Sequence, residues 1–212
     1  MAHGDGYLFP SVTQVLGAVL RKPQLENWFK VNTARYCEIQ SKVGKEIGTE
    51  THELIQRCID GEEMVLDTEY ADEIKNTINS FFKFKKENPE YKLKRSEIIL
   101  NIKKYGYSGR LDVIGERNGE LFIGDWKTGK NKDGAMTFYP EMIYQVATYT
   151  VGYNLQFKTQ IKKAVIILLD KTAENYAVRE VDEAEIQASF KNVFLPCIKI
   201  FNYQRRKSEK GK

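Results

Sequence analysis

The chain has 212 residues and a formal net charge of +4, with 42% hydrophobic and 29% charged residues. These proportions are ordinary for a globular protein, and the length suits one domain with a sizeable core. No apolar run approaches the roughly 20 residues of a membrane-spanning helix, so we expect no membrane partner. The opening MAHGDGYLFP has neither a signal peptide's apolar core nor an Arg-rich transit pattern, and this predicts a cytoplasmic protein.

The N-terminal part of the chain predicts helices, because apolar residues recur at helical spacing between capping and breaking residues. Ser11 caps the first helix, and Pro23 suits the first turn of the second. The predicted ranges are 11–20, 23–40, 42–60 and 70–87, with a loop or short strand over 62–67. The second helix carries large apolar residues that we interpret as core rather than as a surface for stacking bases: Leu25, Trp28, Phe29, Tyr36 and Ile39.

The C-terminal part alternates between strand and helix patterns. Strands are predicted over residues 91–104, Lys163–Asp170 and Tyr176–Val181, in addition to a hairpin described below. Pro140 suits the first turn of a helix that ends near Tyr153, and a final helix over 182–206 should kink at Pro196. Residues 128–133, rich in Gly, Lys and Asn, predict a flexible connection.

Positive charge is concentrated in two places. Between Lys83 and Lys104, eight Lys or Arg residues stand against three Glu, and residues 204–212 are basic again. Such clusters attract phosphate groups, although lysine-rich solvated surfaces are also common. On charge alone, a nucleic-acid partner and a solvated surface are equally good interpretations.

The central hairpin, residues 109–130, carries the candidate chemistry. Two apolar alternations flank Asn118-Gly119, the strongest short-range signal for a two-residue turn. One strand contains Asp112, and the other contains Asp125 followed two positions later by Lys127. Because side chains alternate along a strand, Asp125 and Lys127 point to the same face. If Asp112 lies opposite them, two carboxylates and an ammonium group converge.

Two carboxylates suit Mg²⁺ or Mn²⁺, and a neighbouring lysine can hold or help to deprotonate a water molecule. This is the chemistry of metal-assisted phosphodiester hydrolysis. Surface charges on a solvated hairpin are the alternative. Asp112 lies between Leu111 and Val113, and Asp125 follows an apolar run, so both positions favour paired or metal-bound carboxylates.

Four motifs resemble one family. Gly109-x-x-Asp112 followed by Asp125-Trp-Lys-Thr-Gly-Lys resembles the core of the PD-(D/E)XK nucleases, and most closely the RecB-like branch, which includes phage exonucleases and the mitochondrial genome maintenance exonuclease. Gly48-Thr49-x-x-His52 resembles the upstream histidine motif of that branch, and Gln145-x-x-x-Tyr149 its downstream motif. Residues 10–28 also resemble the phage and mitochondrial members. The motifs occur in the order of the family and span about residues 10–150.

The resemblance implies an α/β fold, in which a mixed central sheet is flanked by helices around a restriction-endonuclease-like αβββαβ core. We expect one nuclease domain over residues 1–212. Its expected parts are a helical N-terminal extension over about 10–90, a catalytic core over about 91–206, and a basic tail over 207–212.

The resemblance also implies roles for individual residues. Asp112, Asp125 and His52 would hold Mg²⁺ or Mn²⁺ together with the backbone carbonyl of Trp126. Lys127 would orient the attacking water or stabilise the developing negative charge. For His52, a boundary residue of its helix is the alternative that the sequence alone favours.

Further residues have weaker assignments. Glu97, on the first strand, is a second-tier candidate that could assist a second metal or orient a lysine. An ordinary surface glutamate is an equally good interpretation of this position. Gln145 and Tyr149 share one helical face and would approach the catalytic lysine and the DNA backbone. Contacts to nucleic acid are expected from Lys94, Arg95, Arg110 and Lys130. An iron–sulfur cluster found in some relatives needs four cysteines, whereas this chain has only Cys37, Cys58 and Cys197, so none is expected.

The implied activity is that of a metal-dependent DNA exonuclease of phage type, acting in replication, recombination or repair and preferring a single-stranded end. Two alternatives stay open: an endonuclease of the same superfamily, either a restriction-type enzyme or a junction resolvase, and a catalytically inactive nucleic-acid-binding module. The two carboxylates argue against the last, because binding alone needs positive charge. The oligomeric state is not predicted.

Overall fold

A computed structural model describes residues 9–62, 71–131 and 135–210, with side chains up to residue 207 in the last helix. Most of the loop or strand expected over residues 62–67, and the end of the connection expected over 128–133, lie outside the described residues. No helix in the described part of the chain has both the length and the apolar character to cross a membrane.

The first four helices are α1 (Val12–Val19), α2 (Pro23–Val31), α3 (Ala34–Ile59) and α4 (Asp72–Glu87). Ser11 caps α1 as predicted: its Oγ accepts a hydrogen bond from the Gln14 amide, while the Gln14 side chain accepts one from the Ser11 amide. The predicted boundary between the second and third helices is wrong. The chain breaks at Asn32, where Thr33 begins a new helix by accepting a hydrogen bond from the Tyr36 amide. From there α3 runs unbroken for 26 residues.

The sheet has five strands in the order β1-β2-β3-β4-β5: β1 (Tyr91–Ile102), β2 (Tyr107–Arg117), β3 (Glu120–Gly129), β4 (Lys163–Asp170) and β5 (Tyr176–Val181). The first three strands are antiparallel, β3 and β4 are parallel, and β5 is antiparallel to β4. Helix α5 (Pro140–Phe157) provides the crossover that a parallel pair requires. The predicted αβββαβ order is therefore confirmed as α4, β1, β2, β3, α5 and β4.

The turn between β2 and β3 lies where the sequence places it. Asn118 has a φ of +52° and Gly119 a φ of +83°. A two-residue type I′ turn needs positive φ at both central positions, and Asn and Gly are the residues that adopt it at the lowest cost. This turn sets the register of the two strands that carry Asp112 and Asp125.

Helices cover both faces of the sheet. On one face, α1, α5 and the C-terminal helices pack over Leu100, Leu111, Ile123 and Ile166. On the other face, α3 and α4 pack over a second apolar cluster around Trp126. The rings of Phe81 and Phe84 meet Trp126 edge-on, with centroid distances of 5.3 and 6.0 Å. Trp126 is thereby anchored between the two candidate catalytic residues Asp125 and Lys127.

The last helical segment bends, but through a different backbone feature from the one predicted. After α6 (Glu183–Ser189), a π-helical turn spans Phe190–Phe194, and α7 follows over Leu195–Lys210. The Leu195 amide donates to the Phe190 carbonyl, so the hydrogen-bond register changes just before Pro196, which has no N–H to donate. The expected basic tail is mostly part of this helix, which extends to Lys210.

The N-terminal aromatic residues are not core, and this part of the prediction is wrong. No residue of α2 is buried, and the side chains of Phe29, Tyr36 and Ile39 are about half exposed, at 51%, 48% and 50%. Trp28 contacts the rings of Phe29 and Tyr36, with centroids 5.1 and 6.3 Å apart. Helical spacing specifies that residues share a face, whereas only the tertiary structure decides whether another element covers that face.

Candidate active site

The site lies where the central hairpin opens. Strands β2 and β3 pair only as far as Val113 and Gly124, after which β3 continues beside β4 alone. Asp112 lies at this fork, and its Oδ2 accepts a hydrogen bond of 2.8 Å from the amide of Trp126. A side-chain carboxylate thus replaces the backbone partner that β3 loses, which satisfies a buried N–H group.

Asp125 is fully buried, and each of its two carboxylate oxygens has a side-chain partner. Its Oδ2 forms an ion pair with the Lys127 ammonium, as the shared face on β3 predicts. Its Oδ1 accepts a hydrogen bond of 3.2 Å from Gln145 Nε2, on helix α5. Gln145 Nε2 also lies 3.2 Å from the hydroxyl oxygen of Tyr149. The two residues of the downstream motif therefore lie beside the lysine–aspartate pair.

A second group of ligand atoms surrounds Asp112. His52 Nδ1, on α3, lies 3.6 Å from Asp112 Oδ2. Glu97 joins them from β1, and one ligand atom from each of these three residues lies within 4.8 Å of the other two. Imidazole nitrogen and carboxylate oxygen at these separations suit a single divalent cation.

Glu97 reaches this position through an unusual backbone conformation. Its neighbours Ser96 and Ile98 are opposite Val113 and Leu111, so Glu97 faces Asp112 across the β1–β2 pair. Its φ is +52°, which costs on the order of 1–3 kcal/mol for a residue other than glycine and is typical of functional sites. The Arg110 guanidinium pairs with its carboxylate at 2.6 Å.

The grouping differs from the predicted ligand set in one respect. His52, Asp112 and Asp125 were expected to be the side-chain ligands, but the close group contains Glu97 in place of Asp125. The two oxygens of Asp125 instead interact with the Lys127 ammonium and the Gln145 side-chain amide. No sequence pattern separates Glu97 from an ordinary surface glutamate, because its proximity to Asp112 depends on the register of β1 against β2.

Burial changes the acid–base properties of these groups. Loss of solvent raises the pKa of Asp112 to about 6 and that of Asp125 to about 7, although the nearby Lys127 charge opposes both shifts. Burial lowers the pKa of Lys127, but the charges of Asp125 and Asp112 outweigh burial and leave that pKa raised. Lys127 therefore carries its positive charge, while the two carboxylates hold protons more readily than exposed ones.

His52 is shifted in the opposite sense. Burial, followed by the Lys127 charge, lowers its pKa to about 4, although Asp125 and a hydrogen bond to the Trp126 backbone act against this shift. The ring is therefore neutral near pH 7, which is the form that binds metals. The hydrogen bond also places the backbone of Trp126, whose carbonyl is a predicted metal ligand, beside His52.

An open cavity of about 560 Å³ adjoins the ligand group, and His52, Glu97 and Arg110 are among its lining residues. The other residues predicted to contact nucleic acid do not line it. Lys94 pairs with Glu116 at 2.5 Å, nearer the turn of the hairpin, while Arg95 and Lys130 are exposed.

Gly109 has a packing role that the motif alone does not reveal. A Cβ atom at this position would lie 2.6 Å from Cε1 of Tyr149, so only glycine lets the aromatic ring lie against β2. Tyr149 is 4% exposed. The contact holds the ring where its hydroxyl reaches Gln145.

The mixed five-stranded sheet, with paired carboxylates and a lysine where two of its strands separate, defines an α/β protein of the restriction-endonuclease-like class. The family model for the PD-(D/E)XK nuclease superfamily matches residues 34–210, and the chain belongs to this superfamily. Members of this superfamily use divalent metals, in keeping with the ligand group of His52, Glu97 and Asp112.

Comparison with solved structures finds an alkaline exonuclease, LHK-Exo, from Laribacter hongkongensis. It is 14% identical with a TM-score of 0.43, and the match covers 96% of this chain and 95% of that one. LHK-Exo in complex with dAMP matches over the same shares, with 14% identity and a TM-score of 0.44. A comparison with curated proteins found no match.

Proposed function

We propose that the protein is a metal-dependent DNA exonuclease that hydrolyses phosphodiester bonds from a single-stranded end. The observation that carries this proposal is the meeting of His52, Glu97 and Asp112 beside the Asp125–Lys127 ion pair, within a nuclease-superfamily fold. An inactive binding module would not need these buried carboxylates, because their burial is costly without a cation or another partner.

The residues present fit a divalent cation. Glu97 Oε2 and Asp125 Oδ2 are buried and have ion-pair partners, but neither has an aligned hydrogen bond among the described residues. His52, Glu97 and Asp112 would hold the cation, with Asp125 and the Trp126 carbonyl as further ligands. Hard oxygen donors with one imidazole suit Mg²⁺ or Mn²⁺. The chemistry that such a cation supplies is polarisation of the phosphate and a lowered pKa of coordinated water.

The protein's own groups complete the reaction. The Lys127 ammonium, held by Asp125, donates a hydrogen bond to the attacking water or to the phosphate oxygen that gains negative charge. Gln145 holds Asp125 from the other side, and Tyr149 contacts Gln145, so the pair is positioned before substrate arrives. Attack by water on the phosphorus then forms one P–O bond and breaks the bond to the 3′ oxygen. That oxygen takes up a proton, so the products are a 5′-phosphate and a 3′-hydroxyl.

The exposed aromatic surface supports the single-strand preference. Phe29 on α2 and Tyr36 at the start of α3 are about half exposed, and both contact the partly buried ring of Trp28. Helix α3 also carries His52. His52 follows Tyr36 by sixteen positions, which is about 24 Å along a helix. Unpaired bases stack on exposed aromatic rings, whereas bases within a duplex are already stacked. Arg110 and Lys130 are proposed to contact phosphate groups, as are Lys94 and Arg95 farther from the site.

The test compares a covalently closed single-stranded DNA circle with its linear form, each with Mg²⁺, Mn²⁺ or EDTA. The proposal predicts metal-dependent degradation of the linear strand, an intact circle, and no cleavage in EDTA. Rapid cutting of the circle would establish the endonuclease alternative. Absence of cleavage under all metal conditions, together with DNA binding, would establish the inactive binding module.

A further inference from the structure

We infer that the cavity beside the ligand group is the path of the substrate strand, whose sugar–phosphate backbone lies against α3 at Gly44 and Gly48. This inference rests on the proposed function and specifies how the chain next to the cleaved phosphate is held. The two glycines let the substrate approach the helix backbone more closely than any side chain would allow.

The spacing along α3 places the relevant residues on one face. Gly44, Gly48 and His52 follow one another at intervals of four residues, and all three line the cavity of about 560 Å³. The glycines thus lead along the helix to His52. At that end lie the ligand atoms of His52, Glu97 and Asp112, within 4.8 Å of one another, which marks the position of the reacting phosphate.

Packing among the described residues does not explain the two glycines. A Cβ atom at Gly44 would meet no heavy atom of the described residues within 4 Å, and at Gly48 only Thr128 Oγ1, at 4.0 Å. Both residues lie inside α3, where glycine is less favourable than alanine because it loses more backbone freedom on folding. The described residues leave this surface free of side chains, at a cost to helix stability, and this indicates that another molecule occupies it.

The lining of the cavity identifies the chemistry of that molecule. Among the described residues that line it there is no large apolar side chain. Lys45 and Arg110 contribute positive charge, while Glu53 and Glu97 contribute carboxylates. Arg110 is oriented by its ion pair with Glu97, next to the ligand group. A polar groove in which cations stand beside helix backbone without side chains suits a chain of phosphates and sugars rather than an apolar ligand.

The test is Gly44→Leu, with Gly17→Leu as the matched control. Gly17 also lies inside a helix, α1, and a Cβ there would likewise meet no described heavy atom within 4 Å, but it does not line the cavity. Because leucine is a much better helix former than glycine, both variants should melt about 2–4 °C above the parent. Only Gly44→Leu should bind DNA more weakly.

Binding is measured with a fluorescent single-stranded oligonucleotide in EDTA, and turnover with the same oligonucleotide in Mn²⁺. We expect Gly44→Leu to raise Kd and KM at least tenfold, with a smaller rise for Gly44→Ala. Hydrolysis of bis(p-nitrophenyl) phosphate, which has no flanking strand, should keep its parental kcat in both. Lys45→Gln should reduce the slope of log Kd against log salt by about one.

Unchanged Kd and KM in Gly44→Leu would overturn the inference. An equal loss of bis(p-nitrophenyl) phosphate hydrolysis would also overturn it, because the substitution would then act on the catalytic groups rather than on the strand. If the parent hydrolyses neither substrate, the proposed nuclease activity fails, and the Kd comparison between Gly44→Leu and Gly17→Leu still decides whether nucleic acid lies in the groove.

Discussion

Gly109→Ala tests whether the packing of Tyr149 positions the catalytic carboxylate. The added methyl carbon would lie 2.6 Å from Tyr149 Cε1, 3.2 Å from Tyr149 Cδ1 and 3.5 Å from Val12 Cγ2. Non-bonded carbons prefer about 3.5–4.0 Å, so the ring must retreat by about 1 Å. Val12 is fully buried and Tyr149 nearly so, which leaves little space for that movement.

Two effects of different size should follow. Overpacking of this kind lowers the free energy of unfolding by about 1–3 kcal/mol. The retreat also lengthens the contact of 3.2 Å between the Tyr149 hydroxyl and Gln145 Nε2 beyond hydrogen-bonding distance. Gln145 then has only Asp125 to orient it, and a shift of about 1 Å near a reacting group can cost on the order of 100-fold in rate. We expect kcat to fall by about 10- to 100-fold.

The assays are urea unfolding and cleavage of a linear single-stranded oligonucleotide at saturating Mn²⁺. Gly17→Ala is the control, because a methyl group at that exposed helical position meets no described atom within 4 Å, and it should leave kcat unchanged. Tyr149→Phe separates the two effects, since it removes only the hydroxyl and should lower kcat with little overpacking. Parental stability in Gly109→Ala would refute the packing argument, and lost stability with parental kcat would refute the link from Tyr149 to catalysis.

The remaining predictions concern the groups at the fork. Asp112→Asn should abolish cleavage. DNA binding, measured by fluorescence anisotropy, should stay equal or become tighter, because a negative charge near phosphate is lost. Cleavage by this variant would contradict the metal hypothesis. Lys127→Ala should slow single-turnover cleavage by orders of magnitude yet retain metal binding in calorimetry. A fall in the cleavage rate of less than about tenfold, roughly 1.4 kcal/mol, would show that Lys127 is not catalytic. His52→Ala should shift the metal titration of activity to higher concentration, whereas an unchanged titration would make His52 a boundary residue. Burial raises the pKa of Asp112 to about 6 and that of Asp125 to about 7, above their unfolded values. In the metal-free protein these carboxyl groups therefore stabilise the fold while they are protonated, and this contribution should be lost as the pH rises from about 4 to about 7. The cation binds the ionised forms, so the increase in Tm produced by Mn²⁺ should grow from pH 5 to pH 8, and an increase independent of pH would contradict this assignment.

Local sequence signals determined most of the secondary structure around the site. Asn118-Gly119 forms its turn because both residues accept positive φ, and this places Asp112 and Asp125 on adjacent strands. The predicted strands Lys163–Asp170 and Tyr176–Val181 have the same bounds in the structure, since each is a short apolar or alternating run between turn residues. The ion pair of Lys127 with Asp125 likewise follows from the two-residue period of β3.

Only the tertiary structure decided which distant groups meet. Glu97 reaches Asp112 through the register of β1 against β2, together with a positive φ that its residue type does not favour. Whether Phe29 and Tyr36 are exposed depends on which other elements pack over them. Whether the groove at Gly44 is open depends on which residues pack against α3. Local propensity sets backbone conformation and the face on which each side chain lies, whereas contacts between distant elements depend on register and packing that no single segment encodes.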